Sequence, residues 1–346
     1  MNITFLVGNG FDIACGLHTS YRNFYDWLFA HQTSDIKVER LKQSLKDDKS
    51  ANKNDWADFE LWLGHYTGHF NNSLADEFLD SYDSIINEMI EFVSEERNKY
   101  SESIKSPELI NELRNAIVNF TEELDPETKD QIDSILNSRP DNAVAQFITF
   151  NYTNCIDLTV DELSKEPLLE QVTRNGTKRF LVKKDVIHVH GSLSQYPIIG
   201  VSEEKYVENR EMLSNAEVSE ALIKEKSVHS VGQFWYRDAR NSLESSQIIC
   251  IFGSSLGASD SLWWKAVVSW LKGTSSRHLI VYWHTDHVIG QRSIIQRNRE
   301  LRKVHELLLR HSELKPQERD EIASRIHVVF NSKKMLQVSF EPKQEI

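Results

Sequence analysis

Four short polar segments of the 346-residue chain each follow directly after a run of apolar residues. They begin at Gly8, Asn151, His190 and Gly253. A short apolar run that stops at glycine or polar residues is typical of a buried strand. Because ligands bind at the carboxyl ends of parallel strands, the pattern predicts that these four segments meet in one ligand site.

The first segment, Gly8-Asn9-Gly10-Phe11-Asp12, has the composition of a phosphate-binding turn. Glycine lets the backbone approach a pyrophosphate, and backbone N–H groups and the positive end of a helix can face the anion. We therefore expect Gly10→Val to abolish nucleotide binding while leaving the fold largely intact. The alternative is a tight strand-to-helix turn without a ligand, since a single Gly-x-Gly is common.

Asn151 and His190 are the side chains of these segments that we expect to take part in a reaction. An amide oxygen can hold a hydroxyl group or an attacking water in place. A neutral imidazole can remove the proton from that hydroxyl or water. The alternatives are structural: His190 would anchor a turn, and Asn151 would be a turn residue at a strand end.

The polar residues beside these candidates are assigned supporting roles. His188 lies two residues before His190, so we expect it on the same face of the strand but deeper, as a core histidine or one that supports the site. Asp157 is a helix cap or a ribose ligand, and we favour the structural role. Asp260 precedes a helical pattern and is expected to be its N-cap.

Five segments of the chain resemble the motifs of the bacteriophage abortive-infection AbiH family: "FLVGNGFDIACGLHTSYRNF", "WADFE", "ITFNYTN", "HVHGSL" and "FGSSLGASD". The resemblance spans nearly the whole chain. The same order is more distantly similar to that of sirtuin-like NAD-binding domains. Asn9 departs from the sirtuin pattern, and the four-cysteine zinc module of deacylases is absent, which argues against protein deacylation.

The resemblance implies an NAD site that needs no metal. It implies catalytic roles for Asn151, by the nicotinamide ribose, and for His190, as the general base. It implies NAD-binding roles for Gly8, Asn9, Gly10, Phe11, Asp12, Gly191, Gly253, Ser254 and Ser255.

The segment "NDWADFELWLG" contains two carboxylates, Asp58 and Glu60, among the aromatic residues Trp56, Phe59 and Trp62. Residues two apart on a helix point to different faces, so we do not expect Asp58 and Glu60 to form a catalytic pair. Two alternatives remain for this segment. Glu60 contacts a ribose or nicotinamide across the cleft, or the aromatic residues simply pack the segment against the sheet.

Six apolar runs predict the strands of an α/β fold, and helical patterns separate the later ones. The expected architecture is a Rossmann-like parallel sheet of about six strands with helices on both faces, formed by residues 1–30 and 140–335. Residues 31–139 are acidic and helix-forming, which predicts an all-α insertion. The predicted strands are Ile3–Val7, Ala145–Phe150, Val186–Val189, Ile248–Phe252, Leu279–Trp283 and Ile326–Phe330, and Asn175-Gly176 predicts a hairpin turn before the third of them.

The formal net charge of −12 argues against non-specific binding to a nucleic-acid backbone. The one basic stretch, Arg292 to Arg310, has the spacing of an amphipathic helix with a solvated basic face. Cys15, Cys155 and Cys250 are odd in number and far apart, and no Cys–His–Asp pattern suggests a nucleophile. With no apolar run long enough for a membrane span, we expect a cytoplasmic protein.

Two functions are consistent with these features. The first is an abortive-infection effector that hydrolyses NAD to nicotinamide and ADP-ribose. The second is a non-catalytic sensor that binds NAD or an ADP-ribose-like nucleotide and regulates a partner or an oligomer. For either function we expect a homo-oligomer and a phage-derived or host protein as trigger.

Overall fold

A computed structural model of the chain describes residues 1–50, 58–99, 106–138, 142–166, 168–173, 176–230, 234–285 and 294–336. Its centre is one seven-stranded sheet. The strands are β1 (Asn2–Val7), β2 (Ala143–Thr149), β3 (Leu169–Thr173), β4 (Gly176–His188), β5 (Ser246–Phe252), β6 (His278–Trp283) and β7 (Ile326–Phe330).

The strands lie in the order β3-β4-β2-β1-β5-β6-β7. All neighbouring strands are parallel except β3, which pairs antiparallel with β4. The chain passes from β1 outward through β2 to β4, then returns to the other side of β1 and continues through β5 to β7. This reversal opens a crevice at the carboxyl end of β1, between the ends of β2 and β5.

The predicted parallel sheet is confirmed as a mostly parallel one, and it has seven strands where about six were expected. Leu169–Thr173 forms an antiparallel edge strand that the apolar pattern did not indicate, because its sequence contains no continuous apolar run. Its partner β4 begins at Gly176, ten residues before the predicted start of that strand. The predicted hairpin is confirmed as a β3–β4 pairing, while Asn175 of its turn lies outside the described residues.

Fourteen α-helices lie within the described ranges. They are α1 (Gly10–Ala14), α2 (Tyr21–Ala30), α3 (Ile36–Ser50), α4 (Phe59–Tyr66), α5 (Ala75–Lys99), α6 (Pro107–Val118), α7 (Pro126–Asn137), α8 (Cys155–Ser164), α9 (Ala216–Leu222), α10 (Lys224–Ser230), α11 (Trp235–Ser245), α12 (Ser261–Gly273), α13 (Ile294–Leu309) and α14 (Pro316–Ala323).

Helices cover both faces of the sheet because successive side chains of each strand point to opposite faces. In β1, Ile3, Phe5 and Val7 join a core that contains side chains of α6, α7 and α8. Leu6 joins the core on the other face, with side chains of α11 to α14. Strands β1, β2, β5 and β6 are therefore buried on both sides, as their apolar runs predicted, whereas β4 has exposed residues on one face.

A third apolar core lies beside the sheet and is formed mainly by α2 to α5 and α9. Ser20 caps α2 by accepting a hydrogen bond from the backbone N–H of Asn23. The spacing of apolar residues from Ser73 onward predicts one long helix, and α5 confirms it, since its buried residues recur at helical spacing. No strand lies in the described part of residues 31–139; its treatment as a separate insertion stays a prediction.

Two helix predictions differ in detail from the structure. Residues 214–226 have the apolar spacing of one helix, but the structure divides them at Ile223, whose backbone is extended between α9 and α10. The basic stretch is helical from Ile294 onward, and Arg292 lies outside the described residues. Within the ranges that the structure describes, each helix is too short or too polar to cross a bilayer.

Candidate functional site

A cavity of about 870 Å³ lies at the carboxyl ends of the central strands. Helix α5 contributes Met89 and Val93 to its wall, and the chain after β7 contributes Met335 and Leu336. The structure brings most of the predicted site residues together in this wall: Gly8, Asn9, Gly10, Asp12, Asn151, His190, Gly253, Ser254 and Ser255.

The two glycines of the first turn pack against the turn that follows β5. A Cβ on Gly8 would lie 2.6 Å from the carbonyl oxygen of Gly253, and a Cβ on Gly10 would overlap the Gly253 Cα. The Gly8 N–H donates to Phe252 O and the Gly10 N–H donates to Gly253 O. These glycines are therefore required by the close approach of two strand ends, and their N–H groups are not free for a phosphate.

This packing changes the expectation for Gly10→Val. Gly253 has a φ of +69°, which favours glycine, and its backbone fills the space above Gly10. A valine at position 10 would push the two turns apart, so the substitution would disturb the fold itself. The expectation of an intact fold does not hold.

Phe11 and Gly191 lie outside the cavity wall. The Phe11 side chain is fully buried in the core beneath the turn, and its N–H donates to Gly8 O. Gly191 has a φ of +70° and a Cβ there would collide with the carbonyl oxygen of Tyr196. Both residues shape the turns that carry the site, and their contact with a ligand stays a prediction.

Asn9 lines the cavity and fixes the loop that follows α1. Its Nδ2 donates to the carbonyl oxygen of Thr19, and its Oδ1 accepts a 2.6 Å hydrogen bond from the Thr19 hydroxyl. The same loop brings Tyr21 and Arg22 to the wall. The Asn9 side chain therefore positions the loop that forms one rim of the cavity.

Asp12 is buried and holds Asn151 in one orientation. One carboxylate oxygen accepts from Asn151 Nδ2 at 3.0 Å, and the other accepts from the Thr153 hydroxyl at 2.8 Å. Asp12 accepts one of the two Nδ2 protons, so the amide oxygen and the second Nδ2 proton of Asn151 are left to meet a ligand. Burial raises the pKa of Asp12 to about 6, against the opposing effect of these hydrogen bonds.

His188 contacts the backbone of Asn151, close to the carboxyl end of β2. Its Nδ1 donates to the backbone carbonyl of Asn151 at 3.0 Å, and its Nε2 contacts Asp157 at 2.9 Å. Burial opposes the charged ring, but the contacts with Asp157 and the Asn151 carbonyl and the charge of Asp12 together raise the pKa of His188. His188 therefore supports the segment that carries Asn151, whereas Asp157 is not the N-cap of α8, which is Asn154.

His190 is buried at the cavity wall among charged side chains. Its Nε2 lies 3.1 Å from Asp260 Oδ1. Asp260 Oδ1 also accepts from Lys224 Nζ at 2.8 Å, and Lys224 Nζ donates to Glu60 Oε2 at 2.9 Å. The buried ammonium group of Lys224 therefore joins Glu60 to Asp260, and Asp260 contacts His190.

These contacts set the charge states of the group. Burial and Lys224 lower the pKa of His190, against the effect of Asp260, so the ring is neutral near pH 7. Burial alone would raise the pKa of Asp260, but Lys224 and His190 hold it below its ordinary value. Burial raises the pKa of Glu60 although Lys224 opposes it.

The neighbouring carboxylates are placed differently from what the sequence indicated, while the prediction that Asp58 and Glu60 do not form a catalytic pair stays a prediction. Asp260 precedes α12, but its carboxylate makes no capping hydrogen bond to that helix and instead contacts Lys224 and His190. Asp58 lies before α4 in an extended conformation and caps it, so Asp58 and Glu60 both reach the cavity instead of facing apart. Phe59 and Trp62 pack in the adjacent core, whereas Trp56 lies outside the described residues.

Cys15 and Cys155 lie near the turn but are fully buried. Burial raises the pKa of both thiols well above the ordinary value. Neither is suited to be a nucleophile, since the thiolate is the reactive form. Across the described ranges, no three His, Cys, Asp or Glu side chains are grouped so as to hold a metal ion.

Lys224 and the ion contact of Asp260 are the parts of the site that the sequence did not reveal. Lys224 is buried, but in the chain it is followed by the charged residues Glu225 and Lys226. A lysine beside other charged residues usually lies at the surface, so the local sequence gave no signal of this buried ion pair.

Comparison with known proteins gives one match. The model of a family described as bacteriophage abortive infection AbiH matches residues 4–282, well over half of the chain. No curated protein and no solved structure matches the chain significantly.

Proposed function

The chain belongs to the bacteriophage abortive infection AbiH family, and from that premise we propose that its cavity binds NAD and hydrolyses it to nicotinamide and ADP-ribose. The observation that carries the proposal is the presence of His190 and Asn151 in the wall of the same cavity. One is an imidazole that is neutral near pH 7, and the other is an amide whose oxygen is left free by Asp12.

The proposed chemistry uses these two side chains in sequence. The Asn151 oxygen holds a ribose hydroxyl or the attacking water in place. His190 removes a proton from that hydroxyl or water, and such help typically supplies about 10²–10⁴ in rate. The proton passes from oxygen to the ring, which becomes an imidazolium beside the Asp260 carboxylate.

The charges around the cavity are consistent with this substrate. Asp58, Glu60 and Asp260 line one part of the wall, and Arg22 lines another. Cleavage of the nicotinamide–ribose bond develops positive charge on the sugar, which nearby carboxylates stabilise. A cation such as Arg22 suits a pyrophosphate. The volume of about 870 Å³ lies within the range of small-molecule sites.

The strand order supports a Rossmann-like interpretation of the sheet. Without the antiparallel edge strand β3, the parallel strands follow the order β4-β2-β1-β5-β6-β7. Numbered by chain order, this is the 3-2-1-4-5-6 arrangement of doubly wound dinucleotide-binding sheets, which bind their ligand where the order reverses. The cavity lies at that reversal.

The test is to follow NAD, nicotinamide and ADP-ribose by chromatography with the purified protein. We expect turnover that falls by about 10²–10⁴ in His190→Ala and is also reduced in Asn151→Ala. His305→Ala is a matched control, because this half-buried histidine lies on α13 outside the cavity wall. NAD binding without turnover, also after addition of an extract of infected cells, would instead favour a nucleotide sensor that regulates a partner or an oligomer.

A further inference from the structure

Lys224 is a buried cation close to the cavity wall. Its side chain is buried, and its ammonium group contacts two carboxylates, Glu60 at 2.9 Å and Asp260 at 2.8 Å. Glu60 comes from α4 and Asp260 from the start of α12, so Lys224 joins three elements. Burying charges is costly unless they are paired, and this pairing fixes where the Asp260 carboxylate stands.

The ring of His190 presents a buried nitrogen to that carboxylate. Nε2 is shielded from solvent and, among the described residues, has no hydrogen-bond partner although Asp260 Oδ1 lies 3.1 Å away. The contact is electrostatic, with an alignment short of a hydrogen bond. Catalytic hydrogen bonds are often misaligned in an empty site and tighten when substrate binds.

We propose that Lys224 and Asp260 are positioning residues for His190: Lys224 holds the Asp260 carboxylate against Nε2, so that Nε2 carries the ring proton and Nδ1 is the base. The catalytic part of this inference rests on the proposed function, whereas the arrangement of Lys224, Asp260 and His190 does not. A carboxylate at one ring nitrogen selects the tautomer with the proton on that nitrogen. When Nδ1 takes a proton from the substrate hydroxyl or water, Asp260 stabilises the imidazolium.

Lys224 has a second effect on the same ring. The charged groups around His190 are Asp260 before α12, Lys224 from α10 and Glu60 from α4, and Tyr152 packs beside the ring. Lys224 is the cation of this group and disfavours a second positive charge on His190. Without Lys224, burial would still lower the pKa of His190, but no cation would oppose the effect of Asp260, so that pKa would rise and the ring would be a base only at higher pH.

The experiment is an NMR titration of the His190 ring in the NAD-free protein, with its signal assigned by comparison with His190→Gln. In Lys224→Met we expect His190 to become protonated at higher pH than in the native protein. If NAD turnover is present, its acid limb moves to higher pH in the same variant and activity recovers as the pH rises. Lys42→Met is the matched control, because Lys42 is also buried and paired with a carboxylate but lies outside the cavity wall.

An unchanged His190 titration in folded Lys224→Met would overturn the proposal, whether or not the protein hydrolyses NAD. A shifted titration in a protein without turnover would support the arrangement and refute the proposed enzyme instead. If Lys224→Met does not fold, the His190 titration is measured in the double variant Lys224→Met/Glu60→Gln. There Glu60→Gln removes a carboxylate that Lys224→Met leaves without its cation. Asp260→Asn should also alter the Nε2 signal, and an unaltered Nε2 signal would count against the assigned tautomer.

Discussion

Replacing Asp12 by asparagine tests whether this buried carboxylate positions Asn151 at a cost in stability. Asp12 is 2% exposed and accepts hydrogen bonds from Asn151 and Thr153. An asparagine has the same shape and can accept from Asn151, while the Thr153 hydroxyl can turn to accept from the new amide. The substitution therefore removes the buried charge and keeps the contacts.

The expected magnitude follows from the pKa of Asp12. Burial raises that pKa from 3.8 to about 6, so the folded protein binds the Asp12 proton more tightly than the unfolded chain. The stability that this proton contributes is fully present below pH 3.8 and is lost as the pH rises through 6. With 1.36 kcal/mol for each pKa unit, Asp12→Asn should stabilise the fold by up to about 3 kcal/mol above pH 6.

The assay is urea unfolding of both proteins between pH 4 and pH 8, followed by tryptophan fluorescence at constant ionic strength. We expect the free energy of unfolding of Asp12→Asn to exceed that of the native protein increasingly as the pH rises. Asp12→Ala is the control, because it leaves two buried donors without an acceptor and should be less stable than Asp12→Asn by about 1–3 kcal/mol for each donor at every pH. A difference between Asp12→Asn and the native protein that is constant from pH 4 to pH 8 would refute the reasoning.

Two further predictions concern the turn and the thiols. Gly10→Ala should lower the free energy of unfolding by about 1–3 kcal/mol, because its Cβ would overlap Gly253; thermal unfolding without nucleotide measures this, and an unchanged Tm would contradict it. Cys15 and Cys155 should resist iodoacetamide in the folded protein and react after unfolding, because both thiols are fully buried. Mass spectrometry reports their alkylation, and rapid labelling of the folded protein would be inconsistent with these positions.

Much of the sheet and of the cavity wall could be predicted from local sequence. Runs such as those of β1 and β5 are continuously apolar because helices cover both faces of the sheet. Since these strands are parallel, the polar residues after each of them had to meet at one edge. This rule placed Asn151 and His190 in one cavity without knowledge of the contacts between them.

The contacts that set the chemistry could not be predicted in this way. Lys224 and Glu60 are 164 residues apart, and no local pattern indicates that they meet. Asp260 has the sequence position of an N-cap, but a buried ammonium attracts its carboxylate more strongly than the neutral N–H groups of α12 do. Asp58 was assigned to a helix that begins one residue later, and that single residue decided which way its side chain points.

The central place of the first strand has a consequence for how the chain folds. Strand β1 is made first, yet its neighbours in the sheet begin at Ala143 and Ser246. In a nascent chain, β1 therefore has no neighbouring strand until β2 is made, and one of its edges stays unpaired until β5 is made. Such distant pairing is slow and exposes chains to aggregation. We expect refolding from urea to be slow and prone to aggregation, and chains that stop before β5 to depend on chaperones.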